Sequence, residues 1–238
     1  MTPVVITLYG PRLAPYTEKV RRALLYKGLP FEFVEPTTVE DYTRWNPKSG
    51  MLPVVHFDGE IVEDSTRILF ELDQRHPDPP LISPDPTAAA QQRQLEDWAD
   101  ESFLWFFMKY RNMIGEGAAL PVAGEERAPR AEEPKAGPLR KLGAWLRAGG
   151  TWERPLTGLQ RELGLRLDDL VKFLGARPFF YADRLSMADL GVYAMLFTMR
   201  NDSIEGASQL LLARPSLVAF MERVEEATRP APDAAKPA

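Results

Sequence analysis

No cysteine occurs among the 238 residues, which excludes disulfides, thiolate nucleophiles and cysteine-ligated metals together. Histidine is almost as scarce: His56 and His76 are the full set, too few for a histidine-built metal site. Basic charge is not in excess either. The chain has 29 Lys and Arg against 34 Asp and Glu, a net charge of −5 and a pI near 5.3. That balance leaves no electrostatic footprint for nucleic acid. No apolar run nears the roughly 18 residues of a membrane span, and no charged segment followed by an apolar one opens the chain. The expectation is a cytoplasmic protein with no metal, nucleic-acid or membrane partner.

What remains is an ordinary globular composition, 45% hydrophobic and 26% charged, long enough for a sizeable core. Val4 to Tyr9 is a short apolar run, the mark of a strand buried on both faces. Pro15 suits the first turn of a helix, because its missing N–H would be unpaired there. Tyr16, Val20, Ala23 and Leu24 follow at helical spacing, and Gly28 stops the helix. The cluster Lys19-Val20-Arg21-Arg22 on this helix reads as a solvated face. Phe31 to Val34 is a second strand, so the first unit is a right-handed βαβ crossover.

A loop with Asn46-Pro47 leads to Leu52–Phe57, then Asp58-Gly59, then Glu60-Ile61-Val62. Asp-Gly between apolar runs is a hairpin signal. A helix from about Ser65 to Gln74 completes a βαβ–ββα order, a small α/β sheet of mixed direction.

Two Pro-rich pieces from His76 to Pro86 make a stiff linker, and beyond them the strand signals vanish. Helices are expected over Thr87–Arg111, Leu156–Leu174, from Ser186 with Asp189 in a capping-box variant, and over Pro215–Ala227. The expected division is an α/β domain at 1–80, a linker at 81–86, and an all-α domain at 87–228 with a mobile insertion near 113–150. A flexible tail at 229–238 completes it.

Four segments in this order, APYTEKVRRALLYKGLPFE, NPKSGMLPVV, EDSTRILFELDQRHP and LSMADLGVYAML, resemble the cytosolic glutathione S-transferase superfamily. The resemblance covers most of the chain. It implies a thioredoxin-like N-terminal domain, an all-helical C-terminal domain, glutathione as co-substrate and a homodimer. It also implies a cis bond before Pro53, with Val54 after it offering its backbone to the cysteinyl part of glutathione; Leu52 and Pro53 complete that motif. Asp64 and Ser65, with Glu63 beside them, would hold the γ-glutamyl end. Unpaired N–H groups at a helix start favour such a carboxylate, although Asp64 or Ser65 can equally serve as a plain cap. Lys48, with Arg44 as second choice, would meet the glycyl carboxylate.

The activating residue is the open point. Many family members place Ser or Cys just before the proline of the first helix, and here that residue is Ala14. Tyr9 at the end of the first strand is one substitute, since a phenol can favour a thiolate, and packing is its other reading. Tyr16 and Thr17, at the positive end of the helix, are the next candidates. Aromatics crowd every face of Trp98–Tyr110, and Trp105 and Met108 are the candidates for a second-substrate pocket. The resemblance implies a transferase that joins the glutathione thiolate to an apolar electrophile. The alternatives are a non-catalytic glutathione- or ligand-binding protein of the same fold, motivated by Ala14, or a protein-interaction scaffold.

Overall fold

Four short strands form one mixed sheet in the order β2–β1–β3–β4. In this computed structural model, which describes residues 6–115, 155–181 and 183–230, β1 (Ile6–Tyr9) runs parallel to β2 (Glu32–Val34). It is antiparallel to β3 (Val54–Phe57), which pairs antiparallel with β4 (Glu60–Glu63). The turn between β3 and β4 has Asp58 at φ 50 and Gly59 at φ 91. Two successive left-handed residues are what a two-residue hairpin requires.

Alternation along the strands sorts the two faces of the sheet. Ile6, Leu8, Val55, Phe57 and Val62 join the main core under α1 (Pro15–Tyr26) and α3 (Ser65–Arg75). On the other face Tyr9, Val34 and Val54 pack with Tyr42 and Trp45 of α2 (Val39–Trp45). The sequence reading placed only a loop where α2 stands. Its local signal was Asp41, whose carboxylate accepts from the N–H groups of Thr37 at 2.8 Å and Thr38 at 2.9 Å, fixing the helix start.

Among the described residues five further helices follow: α4 (Pro86–Ile114), α5 (Pro155–Leu174), α6 (Met187–Arg200), α7 (Ala207–Leu212) and α8 (Pro215–Ala227). Helix α6 is buried on nearly every side, as its all-round apolar sequence demands, and packs on both α4 and α1. The expected insertion near 113–150 falls almost wholly outside the described residues, as does the tail beyond 230.

The cationic cluster on α1 is not a solvated face. Lys19 is fully buried, and Arg22 reaches across to the helical half, donating to Tyr193 Oη at 2.9 Å and Thr228 Oγ1 at 2.7 Å. Only Arg21 keeps to its own helix, on Glu18. Sequence alone gave no hint that partners waited on α4, α6 and α8. One turn further on, the buried ammonium of Lys27 lies 2.7 Å from Asp73 Oδ1, 2.6 Å from His76 O and 2.9 Å from Pro79 O. Asp73 in turn accepts the N–H groups of Leu81 and Ile82. The Pro-rich segment is thus held by charge as well as by proline.

Candidate active site

The first wall of the site is the start of α1. Gly10 N–H donates to Val34 O at 3.1 Å, and the chain then turns into the helix through Ala14 at φ −75 and ψ 133. Ala14 makes no side-chain cap, so the first-turn N–H groups of Tyr16 and Thr17 receive nothing from it. Thr17 itself is fully buried, and its hydroxyl has no partner. A Cβ on Gly10 would sit 2.4 Å from Thr17 Oγ1. The side chain therefore packs beneath the β1–α1 turn and is not presented to a ligand, against the reading of Thr17 as an activating hydroxyl.

Tyr9 lies on the sheet face away from α1. Its ring is 4.7 Å from that of Trp45 and 4.6 Å from that of His56. That is a packing position, because strand alternation sends Leu8, not Tyr9, towards α1. Tyr16 reaches towards α4 instead: its hydroxyl donates to Asp100 O at 3.3 Å. Burial raises its pKa, with Asp100, Asp64 and Glu96 adding to the shift, so the phenol stays protonated and can act as a donor but not as a base.

The second wall is the loop before β3. Leu52-Pro53 is a cis peptide, as the resemblance implied. Asn46, almost fully buried, organises the approach: its amide donates to Ser49 Oγ at 2.7 Å, Met51 O at 2.9 Å and Glu63 Oε2 at 3.0 Å. Glu63 is bonded by Lys48 as well, and by Ser49 Oγ at 2.8 Å. Hydrogen bonds from Lys48, Asn46 and Ser49 hold its carboxyl down at about 2. Glu63 thus faces this loop and has its acceptors filled, which removes it from the set that would meet a ligand ammonium. Lys48 remains largely exposed, while Arg44 sits on α2, paired with Asp41 and laid over Trp45.

Val54 is likewise corrected. It is fully buried and stands in register between Tyr9 of β1 and Glu63 of β4, so its backbone is spent on the sheet. Leu52, on the other side of the cis bond, lies outside the ladders. Among the described residues no backbone hydrogen bond engages its N–H or C=O. The free backbone edge is Leu52's.

The third wall is the start of α3. Asp64 adopts φ 73 and ψ 123, a conformation that non-glycine residues adopt only at a cost, and its Oδ1 accepts from Arg67 N–H at 2.9 Å. The cap role is therefore filled by Asp64, leaving the Ser65 hydroxyl, only 6% exposed as a residue, out of the capping bond.

Beneath α1 and α3 lies a group that the sequence reading missed. Lys19, Glu96 and Asp100 form a buried ion cluster that also bonds the Thr66 hydroxyl. The only sequence signal was the i, i+4 pair of acids on an otherwise apolar stripe of α4.

Two family matches decide what this arrangement is. The glutathione S-transferase N-terminal domain matches residues 8–80, and the glutathione S-transferase C-terminal domain matches residues 159–229. The chain belongs to the glutathione S-transferase superfamily. Among its relatives within that superfamily, Protein LigF of a Sphingobium species is 28% identical over 221 residues, covering 88% of this chain and 84% of that one. FtsZ-localized protein A of Caulobacter vibrioides is 28% identical over 197 residues, covering 80% and 75%. The rice glutathione S-transferase OsGSTU1, solved in complex with glutathione, superposes with a TM-score of 0.66 at 22% identity, covering 96% of this chain and 90% of that one. At that identity the likeness is one of fold.

In this member of the superfamily the aromatic helix divides its side chains. Phe103, Phe106 and Phe107 enter the core, and Met108 is half-buried against it. Trp105 is 48% exposed, edge-on to Phe106, with Lys109 Nζ 4.2 Å from its ring centre. It lines a cavity of about 580 Å³ between α4 and α5 with Glu101, Ser102, Leu165 and Arg166. Met108 is not among the lining residues, so the expected pair is split.

Proposed function

We propose that the protein binds glutathione in the cleft between α1, the Leu52-Pro53 bond and α3, and brings its thiolate to an apolar electrophilic small molecule. The observation that carries this reading is the start of α3. A strained Asp64 caps the helix through Arg67 N–H and leaves the Ser65 hydroxyl and the N–H groups of Ser65 and Thr66 for a carboxylate. The open backbone of Leu52 suits an extended peptide laid along it, and the exposed Lys48 suits the far carboxylate. With alanine at position 14, the thiolate is favoured by the free N–H groups and positive end of α1, helped by the protonated Tyr16.

LigF, a relative over most of the chain, is a beta-etherase whose crystal structure is known. Cleavage of an ether by the glutathione sulfur is accordingly one form the reaction takes, beside simple conjugation. The absence of any hydroxyl at position 14 favours a second reading, a glutathione-binding protein without turnover.

Calorimetry separates these readings. Wild type is expected to bind reduced glutathione, and Ser65→Ala to lose about 1–3 kcal/mol of affinity, the range for a hydrogen bond to a charged group. The ligand-free variant should melt as wild type does, because Asp64 supplies the cap. No binding by wild type at millimolar glutathione would remove both readings; binding with no turnover on a panel of electrophiles and aryl ethers would leave the second. The position of the sulfur has its own check. Ala14→Cys, at a helix start, should carry a thiol of depressed pKa and form a mixed disulfide with oxidised glutathione, releasing one reduced glutathione. A folded variant that gains no such mass would place the sulfur elsewhere.

A further inference from the structure

Between α1 and α4 two buried carboxylates share one ammonium. Lys19 Nζ donates to Glu96 Oε1, to Asp100 Oδ2 at 2.6 Å and to Thr66 Oγ1 at 3.3 Å, which uses all three of its N–H groups. Thr66 donates to the same Glu96 oxygen at 2.7 Å. The second oxygen, Glu96 Oε2, is buried and has no partner at all. The Lys19 and Glu96 side chains have no solvent exposure, whereas Asp100 keeps 21% of its side chain open.

One cation against two anions leaves a fully ionised cluster with an uncompensated negative charge, next to a Glu96 side chain with no exposure to solvent. Such a charge is costly, and a carboxyl group escapes the cost by keeping its proton. Burial raises the pKa of Glu96 and of Asp100, against the pull of Lys19. Among the described residues, the cation paired with the two acids is Lys19. From α1 come Lys19 and the neutral Tyr16; from the α3 side, Asp64 and the Thr66 hydroxyl; from α4, Asp97. From α6 comes only Gly191, where a Cβ would come within 3.1 Å of Glu96 Cγ.

We infer that the Glu96–Asp100 pair holds one proton in the ligand-free protein and releases it to solvent when the ammonium group of the ligand settles at the open side of Asp100. The inference rests on the glutathione reading, because that ammonium belongs to the γ-glutamyl group. Asp100 meets the cleft beside Tyr16, whose hydroxyl bonds its carbonyl, and it lies within the electrostatic reach of Asp64. A γ-glutamyl carboxylate at the start of α3 leaves the neighbouring ammonium between these two acids. The arriving cation supplies the charge the cluster lacks, so the pair ionises fully, and the two carboxylates titrate as one unit. Since a proton leaves on binding, affinity rises with pH through the range in which the pair holds that proton.

Calorimetry with S-methylglutathione tests this, because its sulfur has no acidic proton and its amine and carboxylates keep their charges near neutral pH. Titrations in buffers of different ionisation enthalpy read the protons released per ligand bound. Wild type is expected to release a substantial fraction of one proton. Glu96→Gln keeps the shape and balances one cation with one anion, so it should bind and release close to none. Undiminished release from Glu96→Gln, or wild-type binding with no release, overturns the inference. If the variant does not fold, the wild-type measurement and its pH dependence decide alone. Failure of wild type to bind removes the glutathione reading together with this inference; binding without release removes only the inference.

Discussion

Replacing Asp189 by alanine is expected to cost about 3–5 kcal/mol of folding stability, because the carboxylate satisfies three otherwise buried donors at about 1–3 kcal/mol each. Asp189 Oδ1 accepts from Phe180 N–H at 2.8 Å, and Oδ2 accepts from Ser186 N–H at 2.8 Å and Ser186 Oγ at 2.6 Å. The residue has no exposure, so no water replaces the lost bonds. The damage falls at the first turn of α6, the helix on which α1 and α4 both pack. Asparagine should rescue little, since its NH2 group would point at a donor on one side or the other. Chemical denaturation of variant and wild type, read as a shift in midpoint at unchanged slope, is the measurement. A loss below about 1 kcal/mol would show that the three donors find other partners.

The same carboxyl sets a pH dependence. Burial, opposed by the hydrogen bonds from Ser186 and Phe180, raises it from 3.8 to about 6. Between those values the folded chain binds more protons at this site than the unfolded chain. Its contribution to stability therefore falls as pH rises from about 3.8 to about 6. Asp189→Asn should lack that component.

Lys19→Met is expected to cost a similar amount, about 3–5 kcal/mol, for the opposite reason: it removes the one cation that offsets two buried acids. Burial works against the ammonium, yet Asp100 and Glu96 raise its pKa above the ordinary lysine value, so it is charged at neutral pH. Without it, the Glu96–Asp100 pair must take up a further proton or drag water in between α1 and α4. Removing the anion too, as Lys19→Met with Glu96→Leu, should restore part of the loss, because an apolar replacement of a buried pair is often nearly neutral. A double-mutant cycle from urea midpoints gives the coupling. Independent, additive losses would mean that the two side chains do not share their energy.

The order of strands and helices was legible because each carried its own punctuation. Pro15 and Gly28 bracket α1, Asp58-Gly59 makes the hairpin, and Ser186 with Asp189 opens α6. Helix α2 escaped because seven residues give too little periodicity, and its cap lies in an acid that also reads as a loop residue. Within the site, a local rule placed Asp64 at a helix start, and the family resemblance, not the local sequence, placed a cis bond before Pro53; both stand in the structure. Those placed by face were not. Whether Tyr9 or Leu8 points to α1, or Val54 or Leu52 has a free backbone, depends on strand register, and one residue of phase reverses the answer. The Lys19 cluster was illegible for a different reason: its members are 77 and 81 positions apart, and no local pattern links them.

Helix α1 makes the two halves of this protein poor candidates for exchange. Its cation at 19 is matched to two acids on α4, and that at 22 to the hydroxyls of Tyr193 on α6 and of Thr228 at the end of α8. A chimaera that joins this sheet to the helices of another relative would bring those cations against unfamiliar surfaces. Lys19 would then be buried without its counter-charges, and Arg22 would keep Glu18 but lose both hydroxyls, whatever the shape agreement of the two folds. The helix is therefore a key cut for one lock, and sequence drift on either side of the cleft is constrained to move in pairs.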